Sequence, residues 1–222
     1  MSTTAAAEGF RQHRFRPPPG ATTILLVRHG ESAPAIPEQP FPLVDGHGDP
    51  PLHPEGHAQA ERVAQRLRSE AIDAIYVTTL QRTHQTAAPL AAALGLTPLV
   101  ERDLREVFLG EWEGGLLRAK AAAADPVYAR VITEERWDVI PGAEPAAAFE
   151  SRLLDGVRRI AAAHPDRVVV AVVHGGVIGQ LLASATGSRP FAFTGADNGS
   201  ISEIVVLGDH LAVRRFNDTA HL

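Results

Sequence analysis

Two histidines, several arginines and one glutamate each follow a short apolar segment of this 222-residue chain. Such segments are typical of buried strands, and residues that follow parallel strands lie at the sheet edge where ligands bind. The residues concerned are Arg28, His29, Arg82, Arg102, Arg105, Glu106 and His174. One histidine or arginine in such a place is usually structural, but four segments that bring compatible groups to one edge indicate a reaction site.

The chemistry that suits these residue types is phosphoryl transfer. A phosphomonoester has nearly two negative charges, and guanidinium groups bind its oxygens through paired, permanently charged hydrogen bonds. A neutral imidazole can attack phosphorus when its second nitrogen is fixed by a hydrogen bond. A carboxylic acid can protonate the leaving oxygen and then act as a base toward water. Two arginines and two histidines supply enough positive charge for this reaction without a metal ion.

The elements that must position these residues alternate between strand and helix. Strands are predicted at 23–27, 72–77, 98–101, 168–173, 200–207 and 211–216, and helices from residue 54 and over 82–94, 116–132, 146–163 and 177–185. This order predicts an α/β fold with three layers, α/β/α, around a mostly parallel central sheet.

The chain is predicted to form one domain with an N-terminal extension. Residues 1–21 are small, then basic, then proline-rich, and we expect a flexible arm, with a basic contact segment as the alternative. Residues 22–222 have the length of a single domain. Within it, the proline- and glycine-rich loop 33–53 and the segment 108–145 are predicted to cover the site.

Several sequence blocks between residues 22 and 217 form a specific pattern when they are taken in order. They are 26–32 (LVRHGES), 51–60, 79–87, 104–114, 173–176 and 198–201. Together they resemble the motifs of the histidine phosphatase superfamily, also called the phosphoglycerate mutase-like family. One Arg-His-Gly triplet is a weak pattern, but several blocks in the right order make a specific one. The resemblance therefore implies a phosphoglycerate mutase-like fold.

The resemblance also implies a role for each matched residue. His29 would be the nucleophile that becomes phosphohistidine, and Glu106 would be the general acid and then the base. The phosphoryl oxygens would be bound by Arg28, Arg82, His174 and the backbone N–H of Gly175 at a helix N-terminus. The family needs neither a metal nor an organic cofactor, so we expect none.

The sequence departs from the common family pattern around the catalytic positions. Ala35 stands where many members have an asparagine near the phosphate, so one phosphate contact is missing or comes from another residue. His53 replaces a small hydroxyl residue before the first helix. Thr78 and Thr83 replace a serine and an alanine in the second arginine motif. These departures leave the substrate open.

The sequence predicts a metal-independent phosphomonoesterase of the histidine acid phosphatase type that acts on a small molecule. Cofactor-dependent phosphoglycerate mutase chemistry is one alternative, and a phospholigand-binding module without catalysis is another. Phosphatase is preferred over mutase because mutases of the family tend to have extra segments over the site. Here only a few residues, 217–222, follow the last predicted strand.

Composition excludes or disfavours several other classes. The chain has no cysteine, which excludes disulfides, iron–sulfur clusters and thiolate zinc sites. A net charge of −5 and an aromatic content of 5% argue against nucleic-acid binding. No apolar segment is long enough for a membrane helix, so we expect no membrane partner and a cytoplasmic location. Homodimers are common in the family that the sequence resembles, which makes a homodimer one expected assembly.

Overall fold

A six-stranded sheet forms the centre of the computed structural model, which describes residues 12–36 and 38–222. Over these residues the strands are β1 (Thr22–Arg28), β2 (Leu43–Val44), β3 (His47–Gly48), β4 (Ile72–Val77), β5 (Leu99–Val100), β6 (Val168–Val173), β7 (Ile201–Leu207) and β8 (His210–Asp218). The α-helices are α1 (Pro54–Leu67), α2 (Gln81–Leu94), α3 (Leu116–Ala122), α4 (Pro126–Glu134), α5 (Ala146–Ala163) and α6 (Gly175–Thr186). None of the helices in this part of the chain is long and apolar enough to span a membrane.

The sheet has the order β5-β4-β6-β1-β7-β8, and β2 pairs with β3 in a separate hairpin. Strands β5, β4, β6 and β1 are parallel, whereas β7 pairs antiparallel with both of its neighbours, β1 and β8. The prediction of a mostly parallel sheet is therefore confirmed. In the register of the two central strands, Arg28 of β1 lies opposite Val173 of β6. The next residues along each strand, His29 and His174, consequently start from neighbouring points at one edge.

Helices cover both faces of the sheet, which confirms the three-layer prediction. Ile24 and Leu26 of β1 pack with residues of α5 and α6, whereas Leu25 and Val27 pack with residues of α1 and α2. Successive side chains of a strand point to opposite faces, so a continuous apolar run is what a strand between two helical layers requires.

The arm predicted at residues 1–21 lies partly outside the described residues, which begin at residue 12. Residues 12–18 have no regular secondary structure and are exposed. The guanidinium of Arg214 on β8 lies over the ring of Phe15, 3.7 Å from its centre. This cation–π contact joins the described part of the arm to the edge strand of the sheet.

Two segments differ from the sequence-based expectation. The helix predicted at 116–132 is two helices, because Pro126 begins α4 and the Asp125 carboxylate caps it by accepting a hydrogen bond from the Val127 N–H at 2.8 Å. The loop predicted at 33–53 contains the β2–β3 hairpin, whose turn residues Asp45 and Gly46 both have positive φ angles. An Asp-Gly pair is typical of such tight hairpins.

Gly30 and Gly56 bring the loop after β1 against the first turn of α1. A Cβ atom on Gly30 would collide with the carbonyl of Gly56, and one on Gly56 would collide with the carbonyl of Glu31. His53 caps this helix, since its Nδ1 accepts a hydrogen bond from the Glu55 N–H at 3.3 Å. It therefore replaces the hydroxyl residue expected at this place, and the helix start is fixed beside His29.

Candidate active site

His29 lies directly after β1, and its ring is buried. Its Nδ1 lies 2.7 Å from the carbonyl oxygen of Gly30. Because a carbonyl can only accept, Nδ1 must donate the proton of this hydrogen bond. Nε2 then keeps its lone pair and accepts a hydrogen bond from Nε of Arg82 at 3.3 Å. The ring is thus fixed in the tautomer in which Nε2 is the nucleophilic nitrogen.

Both histidines of the site are held neutral. Burial lowers the pKa of His29 well below its ordinary value of 6.5, and the guanidinium groups of Arg82 and Arg28 lower it further. Burial also lowers the pKa of His174, with Arg82 as the next cause. A neutral imidazole is the nucleophilic form, so His29 need not lose a proton before it reacts.

His174 is fully buried, and its ring centre lies 5.2 Å from that of His29. Its Nε2 lies 3.1 Å from the hydroxyl oxygen of Thr78, which in turn lies 3.2 Å from the hydroxyl oxygen of Thr83. The two threonines that depart from the family pattern therefore orient this histidine. Nδ1 of His174 is buried without a hydrogen-bond partner among the described residues.

The two arginines approach His29 from different elements. Arg28 ends β1 and donates from Nη1 to the carbonyl of Ala196, while its Nε is buried without a partner in the described structure. Arg82 lies in the first turn of α2 and donates from Nη1 to the carbonyl of Gly48 at 2.9 Å. Burial lowers the pKa of both guanidinium groups, and the carboxylate of Glu106 opposes that effect. Both remain charged, because arginine stays protonated in proteins.

Glu106 reaches the N-terminus of α6 from the segment after β5. Its Oε2 accepts a hydrogen bond from the Gly176 N–H at 3.1 Å, and its Oε1 accepts one from the Val107 N–H at 3.0 Å. A Cβ atom on Gly176 would collide with Oε1. The second glycine of the His-Gly-Gly motif therefore leaves the room that the carboxyl group occupies. Gly175, the first, lies beside Arg28, whose Nε would be 3.4 Å from a Cβ placed there.

Arg152 of α5 holds the segment that contains Glu106. Its guanidinium donates to the carbonyls of Asp103, Arg105 and Glu106 at 2.6, 2.8 and 2.9 Å. It also forms two hydrogen bonds with the carboxylate of Glu144 at 2.7 and 2.8 Å. No sequence pattern could identify this residue, because its main-chain partners lie 46 to 49 positions away.

The predicted site residues meet at a small cavity of about 190 Å³. Arg28, His29, Arg82 and Glu106 line it, whereas His174 and Gly175 adjoin these residues without lining the cavity. A second cavity of about 800 Å³ adjoins it, because both are lined by Arg28, His29, Glu113, Gly115 and Arg118. The walls of the second cavity come from residues 31–36 and 38–40 and from residues 113–122.

Sequence reasoning missed Arg118, which joins the two walls. Its guanidinium donates to the carbonyl of Ala33 at 2.8 Å and to the hydroxyl of Ser32 at 2.7 Å. Arg118 and Ala35, the position at which the sequence departs from the family asparagine, both line the larger cavity. An arginine inside an alanine-rich helix has no distinguishing sequence pattern. Asn198 is also part of the site, since its side-chain amide donates to the carbonyl of His29 at 2.9 Å.

The sequence predicts Arg102 and Arg105 at the same sheet edge as the site, but in the structure they bind the β2–β3 hairpin. Both form ion pairs with the Asp45 carboxylate, at 2.6 and 3.2 Å. Glu113 also has a structural role, because its two carboxylate oxygens accept hydrogen bonds from the N–H groups of Gly48 and Leu109. These contacts fix the β2–β3 hairpin over the small cavity.

Taken together, the site offers a neutral imidazole whose unprotonated Nε2 faces Arg82, two buried guanidinium groups and a carboxyl group at a helix N-terminus. Such a set can bind a tetrahedral oxyanion, attack it and protonate a leaving oxygen. Across the described ranges, no three histidine, aspartate or glutamate side chains cluster as metal ligands would.

Comparisons with known proteins agree with this geometry. The family model of the histidine phosphatase superfamily (branch 1) matches residues 24–219. Phosphoglycerate mutase-like protein 4 of Arabidopsis thaliana is 34% identical over 206 residues, which cover 90% of this chain and 86% of that protein. Phosphoserine phosphatase 1 of Hydrogenobacter thermophilus is 29% identical, with coverages of 90% and 93%.

A solved structure of a mycobacterial glucosyl-3-phosphoglycerate phosphatase superposes with a TM-score of 0.73 at 26% identity. The match covers 90% of this chain and 100% of the solved chain. The sequence blocks and the three-layer fold agree with these matches. The chain therefore belongs to the histidine phosphatase superfamily.

Proposed function

We propose that this protein is a phosphomonoester hydrolase that acts through a phosphohistidine on His29. The observation that carries the proposal is the fixed tautomer of this ring, with Nδ1 bonded to the Gly30 carbonyl and Nε2 facing Arg82. Arg82 and Glu106 line the same small cavity as His29, so binding and proton transfer would occur beside one nucleophile.

In the first step, Nε2 of His29 attacks phosphorus and the ester P–O bond breaks. The guanidinium groups of Arg28 and Arg82 hold the phosphoryl oxygens, and Nδ1 of His174 and the Gly175 N–H add hydrogen bonds. Protonated Glu106 gives its proton to the departing oxygen, so the alcohol leaves neutral. The products of this step are the alcohol, phosphohistidine and the Glu106 carboxylate.

In the second step, a water molecule attacks the same phosphorus atom. The Glu106 carboxylate accepts the proton of that water, and the P–N bond to His29 breaks. Inorganic phosphate leaves, and the imidazole and the carboxylic acid return to their starting states. The positive charge in both steps comes from the arginines, so the proposed reaction uses no metal ion.

Two relatives support hydrolysis, since they are named as phosphatases for phosphoserine and for glucosyl-3-phosphoglycerate. Mutase-type transfer is the second candidate, because the relative at 34% identity is named phosphoglycerate mutase-like. A mutase must keep its phosphohistidine away from water. The adjoining cavity of about 800 Å³ favours the hydrolase.

A paired assay without added metal tests the proposal. One sample is given a panel of phosphomonoesters, and phosphate release is measured with and without EDTA. The same sample is given 3-phosphoglycerate with 2,3-bisphosphoglycerate, and formation of 2-phosphoglycerate is measured. We expect phosphate release that EDTA leaves unchanged and little isomerisation. Isomerisation faster than phosphate release would establish the mutase, and loss of activity in EDTA with recovery on added metal would refute the metal-free mechanism.

A further inference from the structure

The larger cavity, which we call the outer groove, is the space into which the leaving group of a bound ester can extend. It is lined by residues 31–36 and 38–40 of the loop and by residues 113–122, which include α3. The small cavity measures about 190 Å³, which suits a phosphoryl group and the first atoms of an alcohol. The outer groove measures about 800 Å³, within the roughly 300 to 1,000 Å³ that is common for pockets binding drug-sized ligands.

Apolar side chains form much of both walls of the outer groove. Ile36 on the loop is 50% exposed, and Leu116 on α3 is 40% exposed. Ala119 and Ala122 extend the α3 wall with small side chains that leave the groove wide. Large apolar groups left exposed along both sides of a cavity are typical of a binding surface.

The charged residues that line the outer groove are two arginines and three glutamates. Arg28 and Arg118 lie at its inner end, which we identify by the residues that it shares with the small cavity. Glu31 and Glu38 are exposed on the loop wall. Among the described lining residues there is no further lysine or arginine. Past the inner end, a ligand therefore meets carboxylates and apolar surface.

We propose that the outer groove selects phosphomonoesters of bulky alcohols that have an apolar face and a neutral or cationic substituent. Esters whose second anionic group extends beyond the reach of Arg28 and Arg118 are disfavoured, because that group would face Glu31 and Glu38, and no other lysine or arginine is among the described lining residues. This inference rests on the proposed hydrolase function, because it concerns the alcohol part of its substrate.

The test uses four alkyl esters that share one phosphoryl group. They are ethyl phosphate, 3-phenylpropyl phosphate and the derivatives of the latter with a para-trimethylammonium or a para-carboxylate group. We expect kcat/KM for phenylpropyl phosphate to exceed that for ethyl phosphate at least tenfold. One methylene buried in an apolar pocket already changes kcat/KM by about 10- to 200-fold. We expect the ammonium ester to exceed the carboxylate ester at least tenfold.

Matched variants assign these preferences to the groove. Ala119→Trp should reduce the ratio of phenylpropyl to ethyl phosphate at least tenfold, because the indole fills the groove. Ala123→Trp places the same bulk on an exposed residue that does not line the groove, and should keep the ratio. Glu31→Gln combined with Glu38→Gln should reduce the ratio of ammonium to carboxylate ester to about one.

The outcomes separate this inference from the proposed function. If the wild type hydrolyses p-nitrophenyl phosphate but shows neither preference, the inference is wrong and the hydrolase proposal stands. The inference is also wrong if both tryptophan variants change the size preference equally, or if the charge preference survives the double substitution. If no ester is hydrolysed, including p-nitrophenyl phosphate, the proposed function itself fails.

Discussion

Replacing His29 with alanine should lower kcat for phosphate release by a factor on the order of 10⁴ or more, since the proposed reaction has no other nucleophile. The fold should persist, because the substitution removes one side chain at a strand end and leaves the main-chain bond between His29 N–H and the Val173 carbonyl. The measurement is steady-state hydrolysis of p-nitrophenyl phosphate, with thermal unfolding followed by circular dichroism. His57→Ala, an exposed position on α1, is the matched control and should keep full activity.

Trapping of the covalent intermediate provides a second test of the same variant. Wild-type protein mixed with ³²P-labelled substrate and quenched in base should retain label, and acid should release that label, as expected for a phosphoramidate. His29→Ala should retain none. Normal turnover in the variant, or a label that survives acid, would refute the role of His29.

Replacing Glu106 with glutamine should slow the first step by roughly 10²- to 10⁴-fold for an alkyl phosphate, because an alkoxide is a poor leaving group without a proton. The amide oxygen of glutamine can still accept the bond from the Gly176 N–H, so the change removes the proton and the bond from the Val107 N–H. With p-nitrophenyl phosphate, whose leaving group needs no proton, the first step should slow far less. The second step also loses its base, so phosphoenzyme should accumulate after a burst of about one equivalent of nitrophenol.

Rapid-quench measurement of the burst separates the two steps. Glu111→Gln makes the same change at an exposed glutamate and is the control for Glu106→Gln. It should show neither the slowed first step nor the accumulation of phosphoenzyme. Equal losses for the two esters in the first step would exclude Glu106 as the proton donor.

The central sheet could be predicted from sequence because its strands are short apolar runs that end at turn residues or at charged groups. The motif at 26–32, the block at 79–87 and the His-Gly-Gly block then placed two histidines and two arginines at one edge. Local patterns suffice to predict these strands and motifs, because each one lies within a single short segment of the sequence.

Arg152 and Arg118 could not be predicted, because their roles depend on contacts between segments distant in sequence. Arg152 acts through main-chain carbonyls, and any sequence can provide a carbonyl. Arg118 lies on α3, where an arginine is also an ordinary surface residue. Arg102 and Arg105 show the opposite error, because the sequence predicted two site residues that the structure places elsewhere. Their position after a strand suggested the site, but both pair with Asp45 in the hairpin.

The neutral histidines of the site also make the fold sensitive to acid. Burial lowers the pKa of His29 and of His174 below 6.5, so in mild acid the unfolded chain binds protons that the native state does not. By proton linkage, the free energy of unfolding should fall as the pH drops below about 6.5, by up to about 1.4 kcal/mol per pH unit for each histidine. Urea unfolding midpoints at pH 7.5, 6.5 and 5.5 measure this, and His174→Gln should flatten the dependence. An unchanged dependence in that variant would mean that His174 is protonated in the native state. The residues that would prepare a nucleophile thus also set the acid limit at which the protein stays folded.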